Sequence, residues 1–142
     1  MKYRIEAITL PVADVDRAKA FYELAGWNLD VDTEPTPGMR VVQLTPPGSD
    51  CSITFGTGMD QSEPGSYRSI YLVVADIEPA HRELKERGIP VTDLFHYGPE
   101  GQVPGADPEH RDYWSYATFA DPDGNTWLLQ EVPSRETPSK PA

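Results

Sequence analysis

The sequence predicts an α+β fold of two βαβββ modules in tandem. Three observations carry this. The stretch from Ile8 to Ala18 returns, shifted by 62 residues, as Ile70 to Ala80, with Ile, Leu, Val, Ala, Asp and the final Ala unchanged. The register holds far enough to pair Gly26 with Gly88. Within each copy the apolar spacing changes from a period of two to a helical stripe and back, the order strand, helix, strands. A fixed internal period of this length marks repeated supersecondary units, and one such unit buries too little apolar surface to stand alone.

In the first copy Ile8, Leu10 and Val12 alternate with Thr9 and Pro11, as a strand does. Asp14 stands where a helix N-cap belongs, and Asp16 in the first turn complements the helix dipole. Val15, Ala18, Phe21, Tyr22 and Ala25 form the helical stripe, and Gly26 ends it. Three strands are expected next, at 27–32, 39–45 and 51–55, broken by Pro37-Gly38 and Pro46-Pro47-Gly48.

In the second copy Asp76 is the expected cap, with Glu78 in the first turn. Ile77, Ala80 and Leu84 form the stripe, and Gly88 is the stop. Pro79 falls in the first turn, where its missing N–H costs little. Strands are expected at 89–95, 112–120 and 126–132, the last two joined by Asp121-Pro122-Asp123-Gly124-Asn125, a strong turn sequence. The boundaries that follow are a first module over 1–56, a polar Gly/Pro linker over 57–67 and a second module over 68–132. The second module carries an insertion at 96–111 that the first lacks, and 133–142 reads as a disordered tail.

At 142 residues and a net charge of −11, the chain lacks the basic footprint that nucleic acids and anionic membranes attract. Neither is expected as a partner. Cys51 is the only cysteine, so no intrachain disulfide is expected, and it reads as a small core residue. No leader-like segment and no apolar run long enough to span a bilayer is present, so a cytoplasmic location is the expectation. No nucleophile elbow, phosphate-binding glycine loop or paired-carboxylate motif appears.

The doubled βαβββ unit, Val12-x-Asp14 before a helix containing Phe21-Tyr22, and Asp121 to Asn125 before the last strand together resemble one superfamily. It is the vicinal oxygen chelate superfamily, the glyoxalase/bleomycin-resistance/extradiol-dioxygenase fold, and the resemblance covers about residues 5–132. It implies two four-stranded sheets curving around a cleft, often completed across a homodimer. It does not imply one function, because the fold hosts lyases, isomerases, dioxygenases, thiol transferases and drug-sequestering proteins. Enzymes of the superfamily hold a divalent metal at the first strand and the last strand of each module. Carried over, those positions are Ala7, Ser52, Ser69 and Leu128. Two lack a donor atom and two are serines, whereas a metal site wants imidazole, carboxylate or thiolate. No metal and no cofactor is therefore expected. Glu6 is one residue and Glu131 three residues off, and an odd step in a strand points to the opposite face.

Strand parity names the residues that should face the cleft. With Ile8, Leu10, Val12 and their repeats under the helices, Thr9 and Tyr71 turn the other way. The same rule selects Ser52 and Thr54, then Gln43, then Gln130. The insertion and the residues flanking it contribute His96, His110, Tyr113 and Trp114 as further candidates. The insertion's glycines and prolines suggest little regular structure and a lid that folds over the cleft. His81 reads as a helix-surface histidine and Trp127 as core.

The resulting expectation is a metal-independent small-molecule-binding protein of the glyoxalase/bleomycin-resistance type, a homodimer with a cleft for a partly apolar organic ligand. The alternative is an enzyme of the same fold, a glyoxalase-like lyase or isomerase or a dioxygenase, using the loop histidines, Tyr71 or displaced metal ligands.

Overall fold

The computed structural model describes residues 1–135. The chain forms two compact units. The first holds Met1–Tyr67 together with the turn Asp121–Asn125, and the second holds Arg68–Ala120 and, among the described residues, 126–135. Each unit is built on a mixed sheet with one helix, the α+β architecture that the repeat predicts. Among the described residues no helix is long and apolar enough to cross a membrane.

The first unit runs β1(Ala7–Thr9), α1(Val15–Leu24), β2(Asn28–Thr36), β3(Met39–Thr45) and β4(Ser52–Thr57). Its sheet order is β1-β4-β3-β2, with β1 parallel to β4 and the other pairs antiparallel. Asp14 caps α1, its carboxylate accepting the Arg17 N–H at 3.1 Å. Gly26, with φ of 93°, turns the chain out of the helix as only glycine does cheaply. Val15, Ala18 and Tyr22 of α1 are buried, as are Val42, Leu44, Ile53 and Phe55 on one face of the sheet.

The expected linker is pinned. The Gln61 side chain exchanges two hydrogen bonds with the main chain of Val12, at 3.2 and 3.1 Å, and Gly65 N–H donates to Pro11 O at 3.1 Å. The turn Asp121–Asn125 completes the unit. Asp121 Oδ1 accepts the N–H groups of Asp123, Gly124 and Asn125, and Asn125 Nδ2 donates to Pro11 O at 2.8 Å.

The second unit runs β5(Ile70–Val74), α2(Ile77–Glu86), β6(Phe95–Gly98), β7(Gly101–Pro104), β8(Ser115–Ala120) and β9(Thr126–Glu131), in sheet order β5-β9-β8-β6-β7. Five strands replace the expected four, because the insertion is not irregular. Residues 95–104 form an antiparallel hairpin turned at Gly98 to Gly101, with Gly101 at φ of 117°. The alternation Phe95-His96-Tyr97 begins a strand where it was expected to end one. Residues 89–94 instead run to β8 through isolated bonds, such as Thr92 N to Thr118 O at 2.8 Å. The strand expected at 112 starts only at Ser115, because His110 and Tyr113 hold positive φ angles of 47° and 72°.

Helix α2 also departs from expectation. Asp76 has the extended N-cap conformation, but its side chain makes no cap bond. The buried Glu131 carboxylate takes the Ile77 N–H instead, at 2.9 Å. Of the expected tail, Ser134 is tied to Asp112 by its N–H at 3.0 Å and its hydroxyl at 2.5 Å; residues 136–142 lie outside the described residues.

Candidate functional site

Strand pairing decides which side chains share a face, and each sheet has one face away from its helix. On the first sheet that face carries Thr9, Gln43, Ser52 and Thr54. Thr9 pairs with Thr54, Ala7 with Ser52, and Gln43 with Thr54. The hydroxyls of Thr9 and Thr54 lie 3.3 Å apart, and Gln43 Nε2 donates to Glu6 Oε2 at 3.3 Å. Ser52 is buried, its hydroxyl 2.6 Å from that of Thr45, which donates in turn to Asp30. Thr45 and Asp30 were not singled out from sequence. Thr45 has the parity of Gln43 and was open to the same rule, whereas Asp30 arrives through the β-bulge between Leu29 and Val31.

On the second sheet the corresponding face carries Tyr71, Gln130, Tyr116, Thr118, Phe95 and Tyr97. Tyr71 pairs with Leu128, which pairs with Thr118; Gln130 pairs with Tyr116, which pairs with Phe95. The rings of Phe95 and Tyr116 stack at 5.8 Å, and Tyr97 meets both edge-on at 5.9 and 5.6 Å. Gln130 Nε2 donates to the Tyr116 hydroxyl at 3.2 Å, and that hydroxyl donates to Tyr113 O at 2.7 Å. A groove of about 510 Å³ is lined by Thr92 to Phe95, Gln102 to Pro104 and Thr118, so that Phe95 is the one ring of the three on its wall. That volume suits a small organic molecule. Sequence reasoning missed Tyr116 and Thr118, the partners of 130 and 128 in the β8–β9 register, and Phe95, whose place is fixed only by the pairing of β6 with β8.

The two insertion histidines do not join this face. His96 pairs with Ser115, which is fully buried on the helix side, and its Nδ1 donates to Gly105 O at 2.7 Å. His110 Nδ1 lies 2.9 Å from Oε1 of Glu131, a helix-side residue only 1 % exposed. The carboxylate accepts, so Nδ1 carries the hydrogen, and this bond raises the His110 pKa above its ordinary value. The segment between the hairpin and β8 is stapled rather than lid-like. Buried Asp107 accepts from Arg111 N and Nε, both at 2.9 Å, and the Arg111 guanidinium holds its carboxyl well below the usual carboxylate range. The same guanidinium lies over the Trp114 ring, 4.6 Å from its centre. Tyr113 and Trp114 are both exposed in part, Tyr113 receiving Arg135 Nη2 on its hydroxyl at 3.1 Å. His81 donates from Nε2 to Thr92 O at 2.8 Å, and Trp127 is buried, as expected.

The donor set at the superfamily's metal positions does not fit a metal. Ala7 and Leu128 have no donor, and the Ser52 hydroxyl is held by Thr45 beneath the surface. Among the described residues no three His, Cys, Asp or Glu side chains are grouped so as to ligate one ion.

The family model described as Glyoxalase/Bleomycin resistance protein/Dioxygenase superfamily matches residues 4–129. No curated protein matches the chain. Among solved structures, the chain is similar to TnmS3, an antibiotic binding protein from Streptomyces sp. CB03234, at 30% identity. That match covers 92% of this chain and 97% of the other, with a TM-score of 0.68. A glyoxalase/bleomycin resistance protein from the same organism is 31% identical over 90% of this chain and 100% of its own, with a TM-score of 0.65. A member of the same superfamily from Sphaerobacter thermophilus DSM 20745 is 30% identical over 92% and 98%, with a TM-score of 0.68.

Proposed function

Because the chain belongs to the Glyoxalase/Bleomycin resistance protein/Dioxygenase superfamily, we propose that it binds a small, partly apolar organic molecule without using a metal. The observation that carries the reading is the open face of the second sheet. There Phe95, one ring of the stacked and edge-on cluster it forms with Tyr97 and Tyr116, lines a groove of about 510 Å³. Aromatic faces supply apolar area, and a few fixed polar groups orient the bound molecule. Those groups are the Gln102 amide and the Thr118 hydroxyl on the groove wall, with the Gln130 amide and the Tyr116 hydroxyl further along the same sheet face. Similarity to an antibiotic binding protein supports the same reading and points to natural-product antibiotics as the class to try first.

Metal independence is supported by the donor chemistry at positions 7, 52, 69 and 128. The placement of His96 and His110 behind the sheet disfavours the enzymatic alternative that relied on them. The polar face of Thr9, Gln43, Ser52 and Thr54 belongs to the same proposal as a second ligand-facing surface. So does a cytoplasmic homodimer, in which a partner would cover the exposed Tyr3 and Ile5.

Native mass spectrometry against a panel of antibiotics tests the reading. One compound retained per site, recovered chemically unchanged, and weakened at least about tenfold (roughly 1.4 kcal/mol) in Tyr116→Ala or Phe95→Ala supports it. Conversion of the compound, or retention indifferent to both substitutions, contradicts it.

A further inference from the structure

Glu131 does more than cap a helix. One carboxylate oxygen takes the Ile77 N–H at the start of α2, and that alone would complete the cap. The other oxygen receives His110 Nδ1, and the Glu131 main-chain oxygen receives the Tyr113 N–H at 2.9 Å. One buried residue therefore holds both ends of the segment 110–113.

Both ends are held in a conformation that their side chains resist. His110 has φ of 47° and Tyr113 of 72°, the left-handed region that favours glycine. Strain of this kind persists only where the surroundings over-determine it, and its presence points toward function. Its consequence here is direct. With Tyr113 left-handed, its carbonyl meets the Tyr116 hydroxyl at 2.7 Å, and Gln130 approaches the same oxygen from the side at 3.2 Å. Relaxing Tyr113 to negative φ would turn that carbonyl away and release the phenol.

We propose that Glu131 and His110 are positioning residues for the open face of the second sheet: from behind it they grip the 110–113 segment and so fix the Tyr116 phenolic oxygen. The use of that oxygen by a ligand rests on the function proposed above; the positioning does not need one.

The grip depends on protons. His110 faces Glu131 on β9 and Asp76 and Glu78 at the start of α2, all carboxylates. Arg111, in its own segment, is occupied by Asp107 and Glu109. The imidazolium is favoured, so charge assistance is complete below the ordinary histidine value of about 6.5 and fades as pH rises through the raised His110 pKa. The neutral ring still donates from Nδ1, with less strength.

Nuclear magnetic resonance of ligand-free protein, labelled at the tyrosine ζ carbons and histidine nitrogens, tests this. The expected result is a His110 midpoint above about 6.5 that the Tyr116 ζ carbon shares. His110→Ala should remove that step from Tyr116 and speed hydrogen exchange of the Tyr113 amide at least about tenfold. Glu131→Gln, which keeps an oxygen for Ile77, should lower the His110 midpoint and also remove the step. His110→Gln, still able to donate an N–H, should restore Tyr113 protection without restoring the step. A Tyr116 signal and a Tyr113 protection identical in His110→Ala and the parent protein would overturn the proposal. A shared midpoint in a protein that retains no antibiotic keeps the positioning and removes the ligand reading. Retention with Tyr116 indifferent to His110 does the reverse.

Discussion

Tyr22 donates its phenolic hydrogen to Asp121 Oδ2 across 2.7 Å, both side chains buried and 99 residues apart in the chain. The two motifs that carry the family resemblance, Phe21-Tyr22 and Asp121 to Asn125, therefore meet in one joint. Asp121 uses its other oxygen to hold the turn's own N–H groups, and Asn125 Nδ2 shares Oδ2 with the phenol at 2.9 Å. The motif is structural: it organises a turn and anchors it, and leaves chemistry to residues elsewhere.

Removing the phenol alone isolates that joint. Tyr22→Phe keeps the ring contacts with Trp27 and Phe55 and deletes one hydrogen bond to a buried carboxylate. A loss of about 1.5–3 kcal/mol is expected, seen as a lower urea midpoint with unchanged m-value. An unchanged midpoint would mean that Asn125 compensates fully.

Two glycines should respond very differently to a methyl group. A Cβ on Gly65 would lie 1.9 Å from the Asp123 carbonyl oxygen, at φ of 75°, so Gly65→Ala must displace the turn. A loss above ~2 kcal/mol is expected. Gly38, at φ of 82°, has nothing within 4 Å of its Cβ position, so Gly38→Ala should cost only the conformational term of about 1 kcal/mol. Thermal unfolding of the pair compares the two terms directly.

Acid should weaken the 107–115 segment in a defined window. Arg111 lowers the Asp107 pKa below its unfolded value, so the pair's contribution is complete above about pH 4 and is lost as pH falls below it. Asp107→Asn should be less stable than the parent near neutral pH, with the difference shrinking below about pH 4. A difference constant from neutral to acid would assign the effect to shape rather than charge.

Legibility in the sequence followed the physics of each residue. The repeat and its parity gave the common face of Thr9, Gln43, Ser52 and Thr54, because alternation is a local property of a strand. The same rule put Glu131 on the face away from Gln130. It was silent on what a buried carboxylate would bind, since its partners His110 and Ile77 come from other elements. The hairpin at 95–104 was hidden by Gly98, Pro99 and Gly101, which punctuate a tight turn as readily as a loose loop. Phe95 became visible as a site residue only through the pairing of β6 with β8, whereas Tyr116 follows from the β8–β9 register that sets it opposite Gln130.

Metal dependence of binding tests the central claim most directly. Protein expressed with zinc, nickel, manganese or iron is assayed for metal by elemental analysis, and the antibiotic panel is repeated by native mass spectrometry before and after exhaustive chelation. The account predicts substoichiometric metal in every preparation and the same compound retained with the same affinity after chelation. One tightly bound divalent ion per site, with retention lost on chelation and restored by that ion, would contradict it.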